Sequence, residues 1–223
     1  MRYLLLLLMA LAPVGHAQAQ QLSLIPYPDQ VELGSGTCSL PANVEFTTAQ
    51  AGLRPLLAYI NTSLHQGRAG AKQPVTLSIA GNKSLRESYR LAVTGKGIRI
   101  DAPDTAGLFY GLVTLLQLCK TTMDARGRSV LPQVVIKDAP RYAWRGFMLD
   151  ESRHFFGKAA VELLLDWMAF YKLNRFHWHL TDAQGWRIAI EQYPLLTSVG
   201  GRGNFTDTTA PANIIPNRIS GIL

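Results

Sequence analysis

The sequence predicts an α+β domain followed by the start of a (β/α)8 TIM barrel, incomplete within 223 residues. Three observations carry that expectation. Between Leu22 and Asp138, short alternating segments are interleaved with two amphipathic helical stretches. From Arg145 to Arg187, two apolar runs, Gly146 to Leu149 and Phe176 to Leu180, flank one further amphipathic helix. Each run then ends in polar residues, Asp150-Glu151-Ser152-Arg153-His154 and Thr181-Asp182, as in a βαβ unit with its chemistry just past both strand ends. The stretch after Pro140 is much shorter than the roughly 250 residues of a typical barrel, hence the expectation of a truncated one.

Taken in order, residues 1–19 read as a secretory signal cut before Gln20. Arg2 supplies a positive start, Leu4 to Ala12 an apolar core too short to span a bilayer, and Ala17-Gln18-Ala19 a small-x-small cleavage site. Pro13 and Gly15 break the core, so no stable membrane anchor is expected. The expected destination is periplasmic or extracellular, or lysosomal in a eukaryotic host.

Residues 20–138 form the expected first domain. Leu22 to Ile25, Val31 to Leu33 and Val44 to Phe46 are strand-like. Leu53, Leu56, Leu57, Ile60 and Leu64 then fall on a single helical stripe. Val75 to Ile79, Tyr89 to Val93 and Ile98 to Ile100 alternate with period two, and Thr94-Gly95-Lys96-Gly97 reads as a hairpin turn. A helix capped by Asp104 runs through Leu108, Leu112, Leu115 and Cys119, with Gly107 and Gly111 giving a smooth strip for close approach. Gln133 to Lys137 closes the domain. No paired carboxylates or phosphate-type glycine loop occur here, which predicts a scaffolding role.

Residues 139–223 form the second region. Gly146 to Leu149 is continuously apolar, as a strand buried on both faces requires. Lys158 to Tyr171 is helical, starting at Gly157, with Val161, Leu164, Leu165 and Met168 as its buried stripe. Arg175 to Leu180 is a strand with Phe176, Trp178 and Leu180 on one face and His177 and His179 on the other. Asp150, Arg153 and Asp182 occupy the carboxyl ends, where a barrel keeps its working residues. From about residue 207 the tail has no clear helix or third strand.

The composition, 48% hydrophobic and 17% charged, is that of an ordinary globular chain, with no second run long enough for a transmembrane helix. The net charge of +7 comes from scattered Lys and Arg without a basic stripe, which excludes nucleic acid as the expected partner. Oligomeric state is not legible. Cys38 and Cys119 are either a pair or two separate buried thiols. Asn61, Asn82 and Asn204 head N-x-[ST] sequons.

RGFMLDESRHFF and NRFHWHLTDAQGWRIAI together resemble the first two strand-loop segments of glycoside hydrolase family 20, the β-N-acetylhexosaminidases. LIPYPDQVELGSG and DTAGLFYGLVTLLQL are similar to that family's small α+β domain, so the resemblance covers about Leu22 to Thr206. It implies exo-acting, retaining hydrolysis of terminal β-linked N-acetylglucosamine or N-acetylgalactosamine, with glycans ending in such sugars as partners and no cofactor or metal.

By that resemblance, Arg153 is the arginine that hydrogen-bonds the O3 and O4 hydroxyls of the non-reducing sugar, and a planar guanidinium fork suits two adjacent hydroxyls. Its plain alternative is an ion pair with Asp150 or Glu151. Asp182 is the aspartate that orients a later histidine in a buried relay to the catalytic glutamate; its alternative is a helix cap. Trp186 is a candidate cap for the sugar pocket. His177 and His179 are expected as core histidines held by hydrogen bonds, the rival being metal ligation in an amidohydrolase-like barrel.

The family's catalytic Asp-Glu pair lies on the fourth barrel strand. The only Asp-Glu dipeptide here is Asp150-Glu151, in the first-strand segment. This polypeptide is therefore expected to be an inactive fragment of an enzyme, the alternative being a non-catalytic module that binds N-acetyl sugars.

Overall fold

The computed structural model describes residues 21–64 and 70–202; the expected signal, Asn204 and the tail lie outside them. Its first layer is a six-stranded sheet built from β1 (Gln30–Leu40), β2 (Glu45–Thr47), β3 (Lys72–Ile79), β4 (Tyr89–Thr94), β5 (Gly97–Ala102) and β6 (Ser129–Asp138). The order is β1-β6-β4-β5-β3-β2. β4 and β5 form the expected hairpin, Thr94 opposite Gly97, while β3 runs parallel to β5 and β2 parallel to β3.

Two helices pack against this sheet, α1 (Arg54–Leu64) and α2 (Thr105–Thr121). Asp104 caps α2 by accepting the Gly107 amide at 2.8 Å. Gly107 and Gly111 let the helix lie against the sheet: a Cβ on Gly107 would sit 2.2 Å from the Ser88 carbonyl oxygen, and one on Gly111 2.6 Å from Ile100 Cγ2. Leu108, Leu112, Leu115, Leu116 and Leu118 are all fully buried, each stabilising the domain by about 2 kcal/mol relative to exposure.

Several expectations for this domain change in detail. Leu22 to Ile25 forms no strand: Leu22 and Leu24 are buried, but the Gln117 side chain takes both polar groups of Ile25, accepting its N–H at 3.0 Å and donating to its carbonyl at 2.7 Å. The alternation reflected packing, not a ladder. β6 is longer than Gln133 to Lys137 and includes Pro132. That residue lies outside the β4 register, which covers 134–138, so its missing N–H costs no β4 ladder bond. Both cysteines are free thiols, and burial with neighbouring Cys38 pushes the Cys119 thiol up to about 12. Asn61 lies inside α1 and exchanges two 2.9 Å hydrogen bonds with the Phe46 backbone, whereas Asn82 is exposed.

The second part opens with β7 (Gly146–Asp150), α3 (Lys158–Phe170) and β8 (Arg175–His179), and β7 and β8 pair in parallel from Gly146 opposite Arg175 to Asp150 opposite His179. A tight hairpin comes next, β9 (Thr181–Asp182) and β10 (Gly185–Trp186), then a short helix α4 (Leu195–Ser198). Burial of β7 on both faces is not observed: Phe147 is 44% and Met148 52% exposed, because among the described residues β8 is the one strand paired with β7. On α3, Val161 and Met168 are buried and Leu164 half-buried, but Leu165 is exposed, its face meeting no described layer.

Polar contacts join the two parts. The Lys172 ammonium is buried, donating to Tyr89 Oη at 2.8 Å and to Asp138 Oδ2 at 3.1 Å, while Arg145 pairs with Glu87 at 2.7 Å. Gln117 also donates to the Phe170 carbonyl at the end of α3. Lys172 itself adopts a left-handed φ of 59°, and the Leu173 amide returns to Met168 O while the Lys172 amide returns to Ala169 O. That is a Schellman stop with lysine where glycine is usual.

Candidate functional site

The carboxyl ends of β7 and β8 bring Asp150, Arg153, His179 and Asp182 together. The Arg153 guanidinium is forked between two carboxylates, Nη1 2.7 Å from Asp150 Oδ2 and Nη2 2.8 Å from Asp182 Oδ2. Asp182 Oδ2 also lies 3.1 Å from His179 Nε2. The loop after β7 is an Asx turn, Asp150 Oδ1 accepting the Ser152 and Arg153 amides at 3.0 and 3.1 Å, which aims Arg153 across to the β9–β10 hairpin.

Electrostatics follow from this packing. Partial burial of Asp150 pushes its carboxyl up, but the hydrogen bonds and charge of Arg153, with His179, outweigh that and hold it below its ordinary value. Asp182 is lowered first by the Ala183 amide, then by His179 and Arg153. Arg153 is raised chiefly by its bond to Asp150. About half of the Arg153 side chain remains open to solvent, so the fork is accessible.

Arg153 makes the ion pair with Asp150, and with Asp182 instead of Glu151. Asp182 lies in the β9–β10 hairpin and caps no helix, and its side chain is about one-third exposed; it pairs with His179, three residues earlier. His177 is exposed and His179 half-buried. The two rings are 5.9 Å apart, and among the described residues no set of three His, Cys, Asp or Glu converges for a metal. Trp186 donates to the Ile188 carbonyl at 2.7 Å and borders an open hollow of about 690 Å³ together with Asp182, Tyr193 and Leu196.

Glu151 behaves differently from Asp150. It is fully buried, and its Oε2 accepts the Phe156 and Gly157 amides at 3.0 and 3.5 Å ahead of α3. The adjacent pair Asp150-Glu151 therefore does not present two carboxylates to one ligand. Sequence reasoning passed over Arg187, which is fully buried and donates to the carbonyls of Glu151, Ser152 and Gly201. Its position after Gly185-Trp186, where glycine leaves room for a large neighbour, was the one sign of it in the sequence.

An α+β domain leading into a parallel βαβ unit with a polar, solvent-accessible cluster at its strand ends defines the opening of a β/α-barrel protein with a carboxyl-end site. The model of glycosyl hydrolase family 20, domain 2, matches residues 21–139, and that of the same family's catalytic domain matches residues 142–221. The chain belongs to glycosyl hydrolase family 20.

It is 37% identical over 186 residues to a beta-hexosaminidase of Vibrio furnissii, covering 82% of this chain and 30% of that protein. With the N,N'-diacetylchitobiase of Vibrio harveyi it shares 34% over 205 residues, 89% of this chain and 23% of that protein. A solved exo beta-N-acetylglucosaminidase from Vibrio harveyi in complex with N-acetylglucosamine superposes with a TM-score of 0.69 at 31% identity, over 79% of this chain and 28% of that one. The N-acetyl-beta-hexosaminidase of Streptomyces plicatus gives 0.70 at 35% identity, over 81% and 40%. The chain thus spans a quarter to two-fifths of the length of these proteins.

Proposed function

We propose that this chain carries the first domain and the opening of the catalytic barrel of an exo-acting β-N-acetylhexosaminidase. The reaction is retaining hydrolysis of terminal β-linked N-acetylglucosamine or N-acetylgalactosamine, with the substrate's own acetamido oxygen attacking the anomeric carbon. Within this polypeptide Arg153 grips the non-reducing sugar, and Asp182 is a positioning residue beside it. The observation that carries this reading is the half-exposed guanidinium fork between Asp150 and Asp182 at the β7 and β8 ends. Its free N–H groups donate to vicinal hydroxyl oxygens, and the flanking carboxylates accept the hydroxyl protons, so a diol meets donor and acceptor together.

The acid/base step needs a carboxylic acid aimed at the glycosidic oxygen. Asp150 is committed to Arg153, and Glu151 is buried under the β7–α3 loop. On this reading the polypeptide binds the sugar without hydrolysing the bond. Residues 1–19, with their Leu4 to Ala12 core and Ala17-Gln18-Ala19 site, act as an export signal.

The test is titration of the full chain with N-acetylglucosamine, followed by NMR, beside Arg153→Ala. Losing charged hydrogen bonds worth about 1.5–3 kcal/mol predicts affinity about 10–100-fold lower in the variant. Equal binding by both chains, or none by the unmodified chain, overturns the reading.

A further inference from the structure

Arg187, like Glu151, is a fully buried ionisable residue beside the site, and nothing in the proposed chemistry uses it. Its guanidinium is fully enclosed and donates from Nε to Glu151 O at 3.0 Å, from Nη2 to Ser152 O at 3.1 Å and from Nη1 to Gly201 O. Its Cζ stands 5.6 Å over the ring of Phe155, which is also buried. Its own amide donates to Leu180 O at 3.0 Å, closing the hairpin that begins with Thr181. Gly185 leaves the space for it: a Cβ there would sit 2.7 Å from Cζ and Nη2.

Enclosing a guanidinium is costly unless every donor direction is used. Here the donors knit two separate loops. The β7–α3 loop, held at 151, 152 and 155, carries Arg153 between its fixed points. The β9–β10 hairpin carries Asp182 and is tied to the first loop again by Ser152 Oγ donating to Gly185 O at 3.0 Å. Lysine would not replace this, since a point charge cannot reach three divergent carbonyls as a planar fork does.

We infer that Arg187 is a positioning residue that sets the Arg153–Asp182 pair, and through it the sugar-binding fork, by clamping the two strand-end loops to each other. The inference rests on the sugar-binding reading only for its consequence, since the clamp itself is geometric.

The experiment compares the full chain with Arg187→Met and Gly185→Ala. It records the carboxyl titrations of Asp150 and Asp182 by 13C NMR, N-acetylglucosamine affinity, and thermal melting. Release of Arg153 predicts that both carboxyl midpoints rise toward the ordinary aspartate value and that sugar affinity falls at least about tenfold. A role confined to stability lowers the melting temperature and leaves the midpoints of the folded chain unmoved, which overturns the inference. If Arg187→Met does not fold, Gly185→Ala decides: unchanged midpoints in the folded variant are refuting, raised ones supporting. Should the unmodified chain bind no sugar while the midpoints still depend on Arg187, the clamp stands and the sugar reading alone fails.

Discussion

Replacing Lys172 by methionine removes the buried ammonium that joins the two parts of the chain. Its side chain is 7% and that of Asp138 13% exposed, so the change strands a nearly buried carboxylate. Breaking a buried pair costs about 3–5 kcal/mol. Asp138 keeps the Tyr89 hydroxyl donating at 2.9 Å and some contact with water, which places the loss at the low end, about 3 kcal/mol. At about 2–4 °C per kcal/mol for a chain of this size, the melting temperature falls by about 6–12 °C. Lys172→Gly loses the same pair but relieves a left-handed backbone strain worth about 1 kcal/mol, so its cost is nearer 2 kcal/mol. In an Asp138→Asn background, Lys172→Met costs much less, the signature of a coupled pair. Urea unfolding followed by circular dichroism measures each of these chains. A Lys172→Met chain within about 0.5 kcal/mol of the original, or strict additivity with Asp138→Asn, refutes the reasoning.

Gly107→Ala pushes a Cβ to within 2.2 Å of a backbone oxygen that cannot turn away, and overpacking of that kind lowers stability by about 3 kcal/mol by the same urea measurement. Asp150 and Asp182 are both held below the ordinary aspartate value, so their contribution is fully present above about pH 4 and is lost as the pH falls through their lower folded midpoints. Titration of the two carboxyls should therefore give midpoints below the ordinary value, rising toward it in Arg153→Ala. The Cys119 thiol, pushed up to about 12, stays unalkylated by iodoacetamide at pH 8 until the chain is unfolded, and rapid labelling of the folded chain would contradict that environment.

Much of this fold is legible in the sequence because local chemistry and tertiary packing agree there. Asp104 announces the start of α2, Gly107 and Gly111 its close approach, and Thr94 to Gly97 the hairpin. The failures fall where a side chain from elsewhere replaces a local rule. Leu22 to Ile25 looks like a strand, but its partner is the Gln117 amide, 92 residues away, and no periodicity encodes that. Lys172 sits where a helix stop normally shows glycine, because its ammonium is needed beneath Tyr89. In the candidate site, Arg153 and Asp182 were readable as a motif, while their mutual contact at 2.8 Å depends on the pairing of two strands. Arg187 left only the faint sign of the preceding Gly185, because arginine is mostly exposed and sequence does not encode the three carbonyls that accept from this one.

On the proposed reading, this polypeptide holds the sugar-recognition corner of a family 20 site, and neither Asp150 nor Glu151 supplies acid/base chemistry. The direct measurement is hydrolysis of a chromogenic β-N-acetylglucosaminide by the full chain at neutral and mildly acidic pH. No turnover above buffer is predicted. Turnover that disappears in Asp150→Asn or Glu151→Gln would contradict it.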